Sequence, residues 1–305
     1  MLRGILYGAT AAAIWGGMYV VSDVVLMVIP PFTLLLLRLI LGALSLSVFI
    51  ISKSPQSLTR TFWLMCIGVG VVGYGISLGA QFVGTDLSTA LNGAVVTSAT
   101  PAFVVIFAVI ILRERLTWQR LASVMLATVG VLVIIDLSQV DFSSETFVGN
   151  IFLAIAAMTW GLYSVLVRYV NGKYPKIDTL YITLIAFLGG FLLVIPASIH
   201  ELSRTSIALS DFTVPIILGI LFLGVVSTAV AFWLWNTAFT LLDASTASVL
   251  FFVQPISGAL LGWIFLGQSL TPQIGLGGLL IALGVGLSIQ SEQHTISDTQ
   301  STEYS

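Results

Sequence analysis

Apolar stretches of about 20 residues recur along the whole chain, each closed by a short polar break, and that is the length a helix needs to cross the roughly 30 Å hydrocarbon layer of a bilayer. They fall near residues 4–26, 31–52, 59–82, 87–112, 118–136, 148–170, 177–199, 213–237, 243–267 and 271–290. No water-soluble fold hides so much apolar surface: 58% of the 305 residues are hydrophobic and 8% charged, against roughly 25% charged in an average soluble domain. The fold class expected is therefore an all-α integral membrane protein with ten transmembrane helices. Arg3 ahead of the first run imitates a secretory signal, but no small-residue cleavage site follows and a matching segment recurs in mid-chain, so this run is read as a mature span. Residues 291–305 are polar and show no buried face, which predicts a disordered tail.

Positive charge sets the orientation, because Lys and Arg in short loops stay on the cytoplasmic side. With both termini cytoplasmic, Arg3, Lys53, Arg60, Arg113, Arg115, Arg120, Arg168, Lys173 and Lys176 fall inside and Arg204 outside, while Asp136, Asp141, Glu145, Glu201 and Asp211 mark outer loops. This predicts a multi-pass protein of the cell's inner (plasma) membrane. The net charge of −2, with no basic stripe, gives no sign of a nucleic-acid partner. Cys66 stands alone and the two histidines have no acidic or thiol neighbours at ligand spacing, so neither a disulfide nor a metal site is expected. No glycine-rich phosphate loop, H-E-x-x-H helix or G-x-S-x-G elbow occurs, which argues against ATP use and against an enzyme, and no cofactor is expected.

The chain also repeats itself. One constant offset lays Gly4 on Gly149, Trp15 on Trp160, Gly16 on Gly161 and Pro30 on Pro175; a second lays Pro101 on Pro255, Leu116 on Leu270, Thr117 on Thr271, Gln119 on Gln273 and Gly130 on Gly284. The extra residues of the second copy sit between about His200 and Asp211. The copies span 4–136 and 148–290. An odd number of spans per copy forces the second to enter the membrane from the opposite side, the inverted-repeat plan of secondary transporters.

These residues carry a family resemblance over about 4–290. The Trp15-Gly16 and Trp160-Gly161 pairs, Arg38 in the second span, Pro101 and Pro255, and the endings Leu-Arg-Glu-Arg-Leu-Thr (112–117) and Leu-Gly-Gln-Ser-Leu-Thr (266–271) resemble the EamA group of the drug/metabolite transporter superfamily. The resemblance implies ten spans in two EamA repeats, a central cavity between them, and export of amino acids, metabolites or toxic compounds. The pattern departs at Glu114, whose counterpart is Gln268, so charge at that position is not shared by the two halves.

Where a solute would sit is read from the residues themselves. Pro101 and Pro255 lack an amide donor and are expected to kink their helices, freeing the carbonyls of Thr97 and Phe251 toward protein or a wet cavity. Asn92, Thr97 and Gln254 are expected to line that cavity, whereas Thr89 and Gly93 suit close helix packing. Trp15, Trp160, Tyr19, Tyr163, Tyr74 and Trp235 supply rings for a planar or cationic solute, Trp235 fitting an interfacial belt equally well. Arg38 lies deep in its span, where it could hold a substrate carboxylate; the role favoured is structural, as a pair with Asp23 or by snorkelling toward the outer headgroups. No carboxylate lies mid-span, since Asp23, Asp86, Asp136, Asp178 and Asp243 cluster toward ends, so proton antiport is not legible. Transport inward fits the composition as well as export does. A non-transporting sensor or assembly protein would instead have a core packed shut.

Overall fold

A computed structural model describes residues 1–51, 56–88, 93, 96–134, 143, 146–205, 207–266 and 272–303, and among them the chain is helical with no strand. The helices are α1 Leu2–Leu26, α2 Pro31–Ile51, α3 Arg60–Asp86, α4 Thr100–Leu112, α5 Trp118–Ile134, α6 Phe147–Lys173, α7 Thr179–Leu202, α8 Val214–Leu241, α9 Ala244–Leu266 and α10 Pro272–Glu303. Seven segments, in α2, α3 and α6 to α10, are long and apolar enough to cross a membrane, α4 and α5 being shorter apolar helices, while α1 adds 25 residues. The predicted tail is met differently: α10 continues past Gln290, and Ser291 and Glu292 are buried. Those two positions follow the buried Ser288 at helical spacing, a face too short to stand out in a polar stretch.

The helices do not stack in chain order. α1 packs between α8 and α9, α6 packs between α3 and α4, α2 lies on α7, and α5 lies on α10. Glycines set these contacts, and they do so in exchanged pairs. A Cβ on Gly16 would meet Ser257 Oγ at 2.1 Å and the Gln254 carbonyl oxygen at 2.5 Å, and its counterpart Gly161 approaches Phe103 and Val104 of α4, the positions equivalent to Ser257 and Gly258. Gly4 meets Leu241 and Leu242 as Gly149 meets Leu87 and Ser88; Gly130 meets Gly277 and Ile281 as Gly284 meets Ser123 and Ala127. Each half thus inserts its first helix between the third and fourth helices of the other. With lipid as apolar as leucine, such close approach supplies the packing energy that hydrophobicity cannot.

Both third helices widen at matching places. Val71–Ser77 in α3 and Phe222–Val230 in α8 are π-helical, a form that appears mostly as a single turn and tends to mark functional positions. In α8 the Thr228 hydroxyl donates to the carbonyl of Leu223, which steadies the wide turn. Pro101 and Pro255 stand where regular α-helix begins, each just after an irregular turn. Pro101 sits in the first turn of α4, after turn residues 98 and 99, and Pro255 follows the 3-10 turn Leu250–Phe252 of α9. Proline is tolerated in a first turn because those amides have no helical acceptor.

Contacts fix two ends of the bundle. At the end holding residue 1, Gly4 lies against Leu242 and Phe62 of α3 meets Tyr174 after α6 edge-on. At the opposite end the Glu201 carboxylate accepts from the Phe32 amide (3.0 Å) and from the Thr33 amide (2.8 Å) and hydroxyl (2.9 Å), capping the start of α2. Removing those acceptors strands orphan amides at a helix N-terminus, so Glu201→Ala is expected to cost about 1–2 kcal/mol. Denaturant midpoints should show only part of that loss recovered in Glu201→Gln, which keeps one acceptor and sets an NH2 against the other amide.

Candidate substrate cavity and its seal

Rings from both halves meet in mid-bundle. Trp15 contacts Trp160 edge-on at 5.6 Å and lies 5.3 Å from both Phe232 and Trp235. Trp160 reaches Tyr163 (5.0 Å) and Phe232 (5.6 Å), and Tyr74 reaches Tyr163 (5.2 Å), Phe187 (4.8 Å) and Phe232 (4.8 Å). Their polar tips are satisfied internally. The Tyr74 hydroxyl donates to Tyr163 (2.5 Å), Tyr163 donates to Asn236 Oδ1 (2.8 Å), and the Asn236 amide donates to Thr183 (2.9 Å). Trp235 Nε1 donates to Ser164, and Trp15 Nε1 donates to the Ser227 carbonyl inside the π segment. Trp160 Nε1 is buried without a partner.

On one side of this plug lies a cavity of about 130 Å³. Trp15, Trp160, Phe232 and Phe251 form its aromatic wall, Ser77, Gln81, Thr97, Thr100 and Gln254 its polar one, and it extends past Ser22, Leu26 and Thr85 toward the end opposite the termini. Arg38 also lines it at 3% exposure, donating from Nε to Thr228 (3.1 Å) and from Nη2 to Ser227 (3.5 Å) and the Met18 sulfur (3.1 Å). It therefore does not snorkel to the headgroups. On the other side of the plug a wider concavity of about 1620 Å³ opens at the terminal end, walled by Tyr7, Arg168, Trp233 and Asp243 among others.

Of the residues predicted for the site, Trp15, Thr97, Trp160 and Gln254 come together on the cavity. Tyr74, Tyr163 and Trp235 are at most 1% exposed and lie beneath the aromatic wall rather than on it, so Trp235 is no interfacial residue. Asn92 and the side chains of Tyr19 and Asp23 lie outside the described residues, and with them one half of the expected Arg38 pair. Sequence reading missed Phe232 and the ring of Phe251, whose carbonyl alone it had placed near the cavity, two among 18 phenylalanines.

It also missed a charged seal at the terminal end. Arg113 takes a left-handed backbone (φ 58°) that turns the chain after α4. Glu114 then accepts from the Ala244 amide (2.7 Å) and from the Ser245 hydroxyl (2.8 Å) at the start of α9. Arg168 pairs with Asp243 (2.9 Å) and with Glu114 (3.4 Å), and Arg120 pairs with Glu114 (3.4 Å) and closely with Asp243. Glu292 of α10 accepts from the Asp243 amide (3.0 Å). Glu114 and Arg120 belong to the first half of the chain, the others to the second, so these bonds tie the halves together where the cavity is closed. No counterpart can be built from Gln268, which carries no charge.

The arrangement can be set beside known proteins. The model of the EamA-like transporter family matches residues 2–136 and again 147–290. An uncharacterized transporter, YoaV of Bacillus subtilis, is 24% identical over 293 residues, covering 93% of this chain and 96% of its own. An uncharacterized transporter of Archaeoglobus fulgidus is 24% identical, covering 94% and 96%, and the short putative permease-like protein YdzE of B. subtilis is 45% identical over 76 residues, 25% of this chain. A solved crystal structure superposes with a TM-score of 0.80 at 20% identity, covering 96% of this chain and 98% of that one, which is a likeness of fold. With both halves matched by the same family model, this chain belongs to the EamA-like transporter family.

Proposed function

We propose that this protein is a ten-span secondary transporter of the inner (plasma) membrane, with both termini in the cytoplasm, that exports a small organic metabolite by alternating access between its two inverted halves. The observation that carries the reading is the convergence of Trp15, Trp160 and Gln254, drawn from both halves, on one cavity. A retired transporter fold serving as a sensor would need no such space. In this orientation the cavity faces outward, and the aromatic plug and the Arg120–Asp243–Arg168–Glu114 seal close the cytoplasmic side. The volume of about 130 Å³ is below the roughly 300–1,000 Å³ of pockets for drug-sized ligands, which favours a compact solute such as an amino acid or a compound of similar size. Trp15 and Trp160 would supply ring faces and the Gln254 amide a directional contact, with Pro101 and Pro255 starting the helix segments beside them.

Purified protein in liposomes tests this. Saturable flux of a solute from a panel of amino acids and aromatic or cationic metabolites is expected. Trp160→Ala or Gln254→Ala should lower it about tenfold or more, since one lost contact of about 1.4 kcal/mol is a factor of ten. Absence of flux across the panel from monodisperse protein would leave the sensor reading in its place.

A further inference from the structure

The seal at the terminal end holds more acid than base. Two guanidinium groups, Arg120 and Arg168, face three carboxylates, Glu114, Asp243 and Glu292. Fully ionised, the cluster carries one net negative charge. Arg168 and Asp243, each 25% exposed, border the wide concavity, whereas Arg120 is 2%, Glu114 9% and Glu292 4% exposed, and on that buried side an uncompensated charge is relieved by taking up a proton.

The hydrogen bonds say which oxygen takes it. Both Glu114 oxygens are engaged, by the Ala244 amide and Arg168 on one side and by the Ser245 hydroxyl and Arg120 on the other. Both Asp243 oxygens bind guanidinium groups. Glu292 Oε1 has the Asp243 amide, but buried Oε2 meets no amide or guanidinium donor, and the one donor close to the carboxyl is the Thr246 hydroxyl, which makes no well-formed hydrogen bond. In the same contact between α9 and α10, Ser288 Oγ, like Thr246 1% exposed, also makes no such bond, Ser288 lying one turn before Glu292 on the same face. The remaining unpartnered atom of the cluster, Arg120 Nε, is a donor and offers a proton nothing. The charged groups acting on Glu292 are Asp243 at the head of α9 and Arg168 on α6, and these are paired in turn with Arg120 on α5 and Glu114 on the turn after α4; the side chain of His294 lies outside the described residues.

We propose that Glu292 is a proton-binding site that latches the cytoplasmic gate, protonated when the seal is closed and ionised when it opens. The proposal rests on the alternating-access reading above. Opening parts Glu114 and Arg120, whose charges cancel, from Arg168, Asp243 and Glu292, which together carry one net negative charge once the latch proton has gone to water. The closed state therefore binds one proton more than the open one, so falling pH favours closure and rising pH favours opening, by up to tenfold in the ratio per pH unit. Because the proton returns to the side it came from, this site tunes the gate to cytoplasmic pH and moves no proton across the membrane.

Spin labels on Trp118→Cys and Tyr169→Cys, at exposed positions of α5 and α6 on opposite halves, report the gate, and the buried Cys66 can stay in place. In the full-length protein, the long-distance population should grow from mildly acidic to mildly alkaline pH. Glu292→Gln, a neutral mimic of the protonated acid, should hold the short distance at every pH. Glu114→Gln, which balances the charges with Glu292 ionised, should shift the transition to lower pH, and it carries the test alone if Glu292→Gln does not fold. A wild-type response retained in Glu292→Gln, or an unshifted one in Glu114→Gln, overturns the proposal. Two populations whose ratio ignores pH overturn the proton site and leave alternating access standing; a single unchanging distance in all variants overturns both.

Discussion

Gly70→Ala is expected to abolish the yield of monodisperse protein, while Gly68→Ala, two residues earlier in the same helix, is expected to leave it unchanged or slightly raised. A Cβ on Gly70 would stand 1.7 Å from the backbone oxygen of Ala186 in α7 and 2.5 Å from its carbonyl carbon, and one on Gly189 would stand 2.1 Å from the Ile67 oxygen in α3. The two helices therefore touch backbone to backbone. Since even a weak C–H···O contact needs about 3.3 Å, α3 and α7 would have to separate by roughly 1.5 Å. No side-chain rotation relieves this, because the clashing atoms are main chain. The damage would spread, since Tyr74 lies one turn from Gly70 and its Cβ is 2.7 Å from where a Cβ on Gly190 would be. Separating α3 from α7 pulls Tyr74 off Phe187 and opens the aromatic plug. A Cβ on Gly68 meets nothing within 4 Å, so only helix propensity acts there, in favour of alanine by about 1 kcal/mol. Size-exclusion profiles of fluorescently tagged variants measure the contrast, and equal yields for the two would mean that the helices tolerate separation.

Run length and polar breaks marked the helices, and duplicated motifs marked the two halves, because a Trp-Gly pair or a proline stands out against leucine and valine. The same logic found Trp15 and Trp160 on the cavity: a ring beside a glycine lies where helices come close. It failed for Tyr74, Tyr163 and Trp235, since periodicity distinguishes an inward face from a lipid face but not a cavity wall from the layer packed behind it. The π segments were invisible for a related reason. Backbone widening at Val71–Ser77 and Phe222–Val230 leaves no required residue type: the first holds Gly73 and Gly75, the second Gly224 alone. The seal escaped because charges at span ends read as loop charges, and their burial depends on how α4, α5, α6, α9 and α10 come together.

Arg120 is where that burial has its largest electrostatic consequence. At 2% exposure it faces both Glu114 and Asp243, and Arg120→Gln removes the charge while leaving both carboxylates in place. Breaking a buried pair by deleting one partner costs about 3–5 kcal/mol, because the surviving charge is neither solvated nor paired. Arg168→Gln is expected to cost less, since Arg168 and Asp243 are each 25% exposed and water screens what remains. A double variant separates charge balance from hydrogen bonding. Arg120→Gln alone leaves Arg168 against three acids, whereas Arg120→Gln with Glu114→Gln leaves it against Asp243 and a Glu292 that can take a proton. If net charge dominates, the double variant is more stable than Arg120→Gln alone, and the two substitutions are strongly non-additive in denaturant midpoints. If the double variant is the less stable, the seal is held chiefly by the bonds from Glu114 to the head of α9, at the Ala244 amide and the Ser245 hydroxyl, and charge balance is secondary.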